Sequence, residues 1–280
     1  MSKRTQRNLG AATLFGAAAA LISSTALLAP AGALEAKTLS QTLQILVTND
    51  DGVSAPGINA AVNALKALPN TKVTVVAPAT NESGTGPKVT AGKLTVTPAT
   101  TSSGYPAKAV AGYPADTIIW AIDDHGISTK PNLVVSGINF GQNIGPLAAE
   151  SGTVGAAETA LARGIPALAV SQGIDNNLAP NFSQGAKQLT AWVQSHRAAL
   201  LSAKKGTYKK TNGNLNIPTC ATGSIRGPIS VALATSLSGY TINTVNCTST
   251  ATNPPNDVAA FTDGYAAIAP LQPVNPPAAS

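Results

Sequence analysis

Ile45-Leu46-Val47-Thr48-Asn49-Asp50-Asp51-Gly52-Val53-Ser54-Ala55-Pro56-Gly57 decides the reading of this chain. An apolar run of strand length drives into two adjacent carboxylates and a glycine turn, and helix-start residues follow. Ser54 is a candidate cap and Pro56 fits a first helical turn. Ile58, Ala61, Val62, Leu65 and Leu68 then recur at helical spacing. Lys72–Ala77 reads as a second strand, closed by Pro78. A β-α-β order of this length implies parallel strands joined by a right-handed crossover. In an open α/β sheet, ligands bind at the edge where strands end and helices begin. Paired carboxylates at that edge suit a hard divalent cation.

The pattern continues downstream. Leu94–Thr97 reads as a strand and Asp116–Ile122 as a helix. Leu133–Ser136 reads as a strand, Thr153–Ala162 as a helix, Ala167–Ser171 as a strand and Ser183–Leu201 as a helix. The loop 79–93 is rich in Gly, Ser, Thr and Asn, and 139–151 is a long Gly/Asn loop. Beyond about residue 203 the pattern changes. Leu215–Ile217, Ile229–Ala234 and Tyr240–Val245 read as short strands separated by Gly, Pro, Asn and Ser, hence an antiparallel arm. The Pro-rich tail after Pro270 reads as loop or extended chain. No internal repeat is present.

Composition narrows the class. The chain has 280 residues, 44% hydrophobic, 11% charged and 4% aromatic, which is globular and not disordered. Lys3, Arg4 and Arg7 precede an uncharged Ala/Leu-rich run that ends near Ala29-Pro30-Ala31-Gly32-Ala33. That arrangement predicts a signal peptide over 1–33 and export to the periplasm or outside the cell. A membrane anchor is the competing reading; weakly apolar Ala, broken by Gly, Ser and Pro, favours the cleaved leader. Residues 34–280 then form one domain, with 203–280 as its arm and tail. Loss of the leader lowers the formal charge from +6 to +3. No Lys/Arg stripe with interleaved aromatics occurs, which argues against a nucleic-acid surface. The Lys204, Lys205, Lys209 and Lys210 cluster reads as a solvated loop. Cys220 and Cys247 are the two cysteines, and in an exported chain they predict one disulfide.

Three strand ends carry polar clusters: Asn49-Asp50-Asp51, Asn81-Glu82-Ser83 and Ser136-Gly137-Ile138-Asn139. Parallel strands bring all three to one edge. The resulting set is all oxygen, suited to Mg²⁺, Mn²⁺ or Ca²⁺ and not to zinc. Glu150-Ser151-Gly152-Thr153-Val154-Gly155 opens a helix with small residues and free backbone amides, a phosphate-binding arrangement. Absent motifs exclude other classes. No Gly-x-x-x-x-Gly-Lys-Ser/Thr loop and no Gly-x-Gly-x-x-Gly after the first strand appear. No Gly-x-Ser-x-Gly elbow appears either. His125 and His196 are the only histidines, which disfavours a histidine nucleophile.

Five segments together, ILVTNDDGVSAPG (45–57), VAPATNESG (76–84), GYPAD (112–116), VVSGINFGQNIG (134–145) and SGTVGAA (151–157), resemble the SurE family of 5′/3′-nucleotidases (survival protein E). LNIP (215–218) and TDGYAAIAPL (262–271) extend the resemblance across roughly 43–271. It implies a three-layer α/β/α Rossmann-like core and a metal-dependent phosphomonoesterase. The implied metal ligands are Asp50, Asp51, Ser83 and Asn139, and the implied phosphate contacts are Asn139, Asn143, Ser151, Gly152 and Thr153. Asp50 and Asn139 are the expected catalytic residues, with Asp50 orienting or deprotonating the attacking water. It further implies a homodimer or homotetramer that exchanges the C-terminal arm. The expected substrate is a nucleoside monophosphate. Two other readings stand beside it: a broad phosphatase for non-nucleotide esters or short polyphosphate, and a non-catalytic metal- or nucleotide-binding protein.

Overall fold

The computed structural model describes residues 41–175, 179–203 and 211–276. The predicted leader and the lysine cluster lie outside these residues. Nine strands form one mixed, mostly parallel sheet in the order β3-β4-β2-β1-β5-β6-β7-β9-β8. These are β1 (Leu43–Thr48), β2 (Thr71–Pro78), β3 (Thr95–Thr100), β4 (Pro106–Ala111), β5 (Leu133–Phe140), β6 (Ala167–Gln172), β7 (Gly213–Ile217), β8 (Pro228–Ser230) and β9 (Ala266–Ala269). The helices are α1 (Pro56–Lys66), α2 (Pro114–Ile122), α3 (Gly152–Ala162), α4 (Phe182–Ser202) and α5 (Asp257–Thr262), with a 3₁₀ turn at Gly145–Glu150.

β1 pairs in parallel with both β2 and β5, with Val47 opposite Val75 and Thr48 opposite Ser136. The central strands are near-continuous apolar runs because helices cover both their faces. On one face Ile45, Val47, Val75 and Val135 meet Ile58, Val62 and Leu65 of α1 and Leu189, Trp192 and Val193 of α4. On the other, Leu46, Val76 and Val134 meet Ile118 and Ala121 of α2 and Val154, Ala157 and Leu161 of α3. The three-layer core is thus as expected. A third cluster gathers Ile144, Ala234, Val258 and Phe261 under the C-terminal segment.

The register places the first three polar clusters on one edge of the sheet. Gly52 makes the turn out of β1 with φ +101°, and a Cβ there would meet the Thr80 backbone at 3.1 Å. Only glycine fits that turn without strain. The cap of α1 is Ala55, not Ser54, and it makes no side-chain capping bond; Pro56 holds the first turn, as predicted.

The C-terminal region differs in detail from the reading. β7 is a core strand, parallel to β6. The antiparallel pairing is β7 with β9, and β8 runs parallel to β9. Tyr240–Val245 forms turns and no strand: Tyr240 N–H donates to Leu237 O and Thr244 N–H to Thr241 O. Its apolar residues, Ile242 and Val245, pack on the Phe261 cluster instead of alternating across a sheet. β4, β9 and α5 were not expected. α5 carries a legible signal, since Asn256 accepts from Ala259 N–H at 2.9 Å as its N-cap.

Candidate active site

Asp50 follows β1 and is almost wholly buried. Thr153, in the first turn of α3, satisfies both carboxylate oxygens: its N–H donates to Oδ2 at 3.0 Å and its hydroxyl to Oδ1 at 2.6 Å. The negative charge sits at a helix N-terminus, where the peptide dipoles favour it. Burial nevertheless pushes the Asp50 pKa up, and the Thr153 bonds only partly offset it. Asp51 accepts the Phe140 N–H at 3.1 Å. Burial, reinforced by the charge of Asp50, raises its pKa to about 6, while the Phe140 bond opposes the rise. Among the described residues no basic side chain enters the electrostatics of either group.

The loop after β2 is clipped at three places. Glu82 N–H donates to Asp50 O at 2.7 Å, and Gly86 N–H donates to Glu150 O at 2.9 Å. Farther on, Asp116 receives the Thr90 hydroxyl at 2.6 Å and the Tyr113 N–H at 2.8 Å. Ser83 is thereby carried to the cleft. Its N–H binds Asn81 Oδ1 at 2.8 Å. Asn139 donates from Nδ2 to Gly141 O at 2.9 Å, so its Oδ1 takes no hydrogen bond among the described residues.

A cleft of ≈ 240 Å³ opens between these elements, and Asp51 of the predicted metal ligands is not on its lining. Asp50, Ser83, Asn139, Asn143 and Ser151 of the predicted set reach it, together with Phe140, Gln142, Leu147 and Glu150. Gly152 and Thr153 are packed behind it. Thr153 was predicted to touch phosphate; here both its donors hold Asp50. Ser151 caps α3 by accepting from Val154 N–H at 3.2 Å, and its own N–H donates to Ala148 O. The Gly152 N–H is then the amide of this turn not committed within the described residues. Gly152 has no room for a side chain, because a Cβ would meet Pro114 Cγ at 2.8 Å and Asp50 Cβ at 3.0 Å.

Asn143 is held by residues that sequence reasoning did not single out. Asn216 Oδ1 accepts its N–H at 2.7 Å, Asn214 Nδ2 donates to its carbonyl at 2.7 Å, and its own Nδ2 donates to Ser171 Oγ at 2.9 Å. Asn214 and Asn216 sit on β7, and both are buried. Two asparagines two residues apart in a strand were the available signal: they face the same way, where a core would take apolar residues. Asp257 plays a similar part, accepting Gly145 N–H at 2.8 Å and Ala234 N–H at 2.7 Å.

The residues present fit a divalent cation. Two neighbouring carboxylates without a counter-charge, a carboxamide oxygen with no hydrogen bond and a serine hydroxyl form an oxygen donor set. Among the described residues no group of three or more His, Cys, Asp or Glu comes together, so the donor set consists of two carboxylates completed by neutral oxygens. The disulfide Cys220–Cys247 is formed, with Cα atoms 5.8 Å apart.

Comparison with known proteins agrees with this geometry. The family model described as "Survival protein SurE" matches residues 45–239. A 5′-nucleotidase SurE of Methanopyrus kandleri is 38% identical over 180 residues, 63% of this chain and 66% of that protein. A 5′-nucleotidase SurE of Syntrophobacter fumaroxidans is 38% identical over 186 residues, 66% of this chain and 70% of that protein. The crystal structure of the SurE protein from Aquifex aeolicus superposes with a TM-score of 0.64 at 28% identity, covering 82% of this chain and 94% of that one. The matched span contains every strand end and the helix start that build the cleft, and this chain belongs to the SurE family.

Proposed function

We propose that this protein is an exported, divalent-metal-dependent phosphomonoesterase that hydrolyses nucleoside monophosphates to nucleoside and inorganic phosphate. The observation that carries the reading is Asp50, clamped at the start of α3 and opening on a cleft shared with Ser83, Asn139, Asn143 and Ser151. The names of the matched relatives support the nucleotide as substrate.

Asp50, Asp51, Ser83 and Asn139 would hold the cation, which when bound would supply Lewis-acid polarisation to the phosphoryl group. Thr153 fixes the rotamer of Asp50, so its carboxylate orients the attacking water and takes its proton. The second Nδ2 hydrogen of Asn143 and the Gly152 N–H donate to the equatorial oxygens, where charge concentrates in the transition state. A water oxygen–phosphorus bond forms and the phosphorus–ester oxygen bond breaks. Solvent water protonates the departing ester oxygen, which leaves as the sugar hydroxyl, while Asp50 returns its proton to solvent, and no covalent enzyme intermediate is needed.

Export is supported by the basic-apolar-small leader and by the Cys220–Cys247 disulfide, a bond characteristic of oxidising compartments. Among the described residues no helix is long and apolar enough to cross a membrane. A homo-oligomer is supported by the exposed apolar side chains Leu233 and Tyr240 on the C-terminal segment. Phosphate release from nucleoside 5′- and 3′-monophosphates, with manganese or with chelator, tests the activity. Undiminished turnover by Asp50→Asn overturns the assignment. Mass measurement of the protein recovered from culture medium or periplasm tests the leader, and size-exclusion chromatography with light scattering tests the assembly.

A further inference from the structure

Among the described phenylalanines, Phe261 is fully buried and Phe182 packs partly against the core, but Phe140 leaves 54% of its surface open. That exposure is not on an outer wall. Phe140 lines the cleft, immediately after Asn139, and its N–H is bonded to Asp51 Oδ2 at 3.1 Å. The ring is therefore anchored to the carboxylate turn through its own backbone. Phe182 abuts it at 6.5 Å between centroids and 57° between planes, a tilted pair that buttresses one side.

The rest of the cleft explains why such a ring is needed. Its charged lining residues are Asp50 and Glu150, and among the described residues no Lys, Arg or His lines it. A dianionic ester therefore meets no cationic side chain among the described lining residues, and neutral donors such as Asn143 and Ser151 face it instead. Among the described residues, Phe140 and Leu147 are the large apolar side chains on the lining, and Phe140 alone of these offers an aromatic face. We infer that Phe140 is the platform on which the base of the substrate stacks, making it the specificity-determining residue that separates nucleotides from phosphate esters lacking a base. This inference rests on the phosphomonoesterase reading for the position of the phosphate. Stacking accepts any base, because every base has a π-face, so the selection is for a nucleobase and not for one in particular.

The test compares adenosine 5′-monophosphate with ribose 5-phosphate, which carries the same ester without the base. Phe140→Leu keeps the apolar bulk and the backbone N–H to Asp51 but removes the π-face; Phe140→Trp restores it. Steady-state kinetics and equilibrium titration calorimetry are run on wild type and both variants. Wild type is expected to prefer adenosine 5′-monophosphate. Phe140→Leu is expected to lose roughly tenfold or more in affinity and in kcat/KM for that substrate, through KM, with ribose 5-phosphate unchanged. Phe140→Trp is expected to match wild type. Equal use of the two substrates by wild type overturns the inference and leaves the phosphatase reading intact. So does a parallel loss on both substrates in Phe140→Leu, which marks a structural role. Absence of phosphate release from either substrate, with base-dependent binding still abolished by Phe140→Leu, upholds the inference and refutes the enzymatic reading.

Discussion

Replacing Asp51 by Asn should make the metal-free protein more stable while removing its response to metal. The carboxyl of Asp51 has its pKa raised from an ordinary 3.8 to about 6, chiefly by burial and then by the charge of Asp50. A raised carboxyl pKa means that the folded state binds the proton more tightly than the unfolded one. The group is neutral in both states well below pH 3.8, where it costs nothing. The cost grows as pH rises through the window from 3.8 to about 6 and is complete above it. At 1.36 kcal/mol per pH unit the plateau is about 3 kcal/mol. Asn keeps an acceptor for the Phe140 N–H and carries no charge, so the penalty disappears. For a chain of this size 3 kcal/mol corresponds to a rise of about 6–12 °C in Tm. Thermal unfolding in chelator should show that gain in full at pH 8 and only a small part of it at pH 4. Added manganese should reverse the order at pH 8, because wild type binds it in the folded state and the variant has lost a ligand. A variant less stable than wild type in chelator at pH 8, or a difference that ignores pH, would refute the account of this carboxylate pair.

Thr153→Val deletes the 2.6 Å hydroxyl bond to Asp50 while leaving the N–H, so nucleotide hydrolysis should fall by about 10- to 100-fold, with Thr153→Ser near wild type; equal activity of the Val variant would show that Asp50 needs no such clamp. Gly152→Ala forces a methyl against Pro114 and Asp50, and should cost about 1–3 kcal/mol in denaturant unfolding and lower kcat as well. Asn216→Ala leaves the buried Asn143 N–H without an acceptor, and should destabilise by about 1–3 kcal/mol and raise KM; a change in stability with KM untouched would separate Asn143 from substrate binding. Reduction of Cys220–Cys247 reopens a loop of separation 27 and should cost about 3–4 kcal/mol by the chain-entropy argument, read as a lower Tm with dithiothreitol that Cys220→Ser no longer shows.

The central strands and the helices through residue 172 were legible, β4 excepted, because each central strand is buried on both faces, which writes a continuous apolar run into the sequence. Two strands escaped the reading, and one expected strand does not form. β4 is a six-residue strand opened by Pro106 beside the sheet edge, with half its side chains exposed. β9 is only four residues long, Ala-Ala-Ile-Ala, and short apolar runs do not distinguish strand from helix. Tyr240–Val245 alternates like a strand, but Gln142 takes the Ile242 carbonyl at 2.9 Å and the Asn243 side chain at 2.6 Å, so its polar groups are satisfied without a ladder.

The site shows a sharper division. Which residues carry oxygen at the sheet edge follows from the strand register, and register follows from local pattern; Asp50, Ser83 and Asn139 could therefore be read in advance. What each group faces depends on how α3 docks, and that is set by contacts no spacing reveals. Gly155 lies against the backbone of Gly86 and Pro87, with no room for a methyl, and Gly152 lies against Pro114 and Asp50. Those two glycines let the helix approach until the Thr153 hydroxyl reaches Asp50 and no longer faces the cleft. Support for Asn143 likewise arrives from β7, 71 and 73 residues downstream, as side-chain bonds that leave no periodic trace. Charge placement is thus encoded locally, whereas the aim of each charge is encoded in long-range packing. A substitution at Gly152 or Gly155 should for that reason disturb Asp50 as surely as a change at Thr153, although neither glycine contributes a polar side chain to the chemistry.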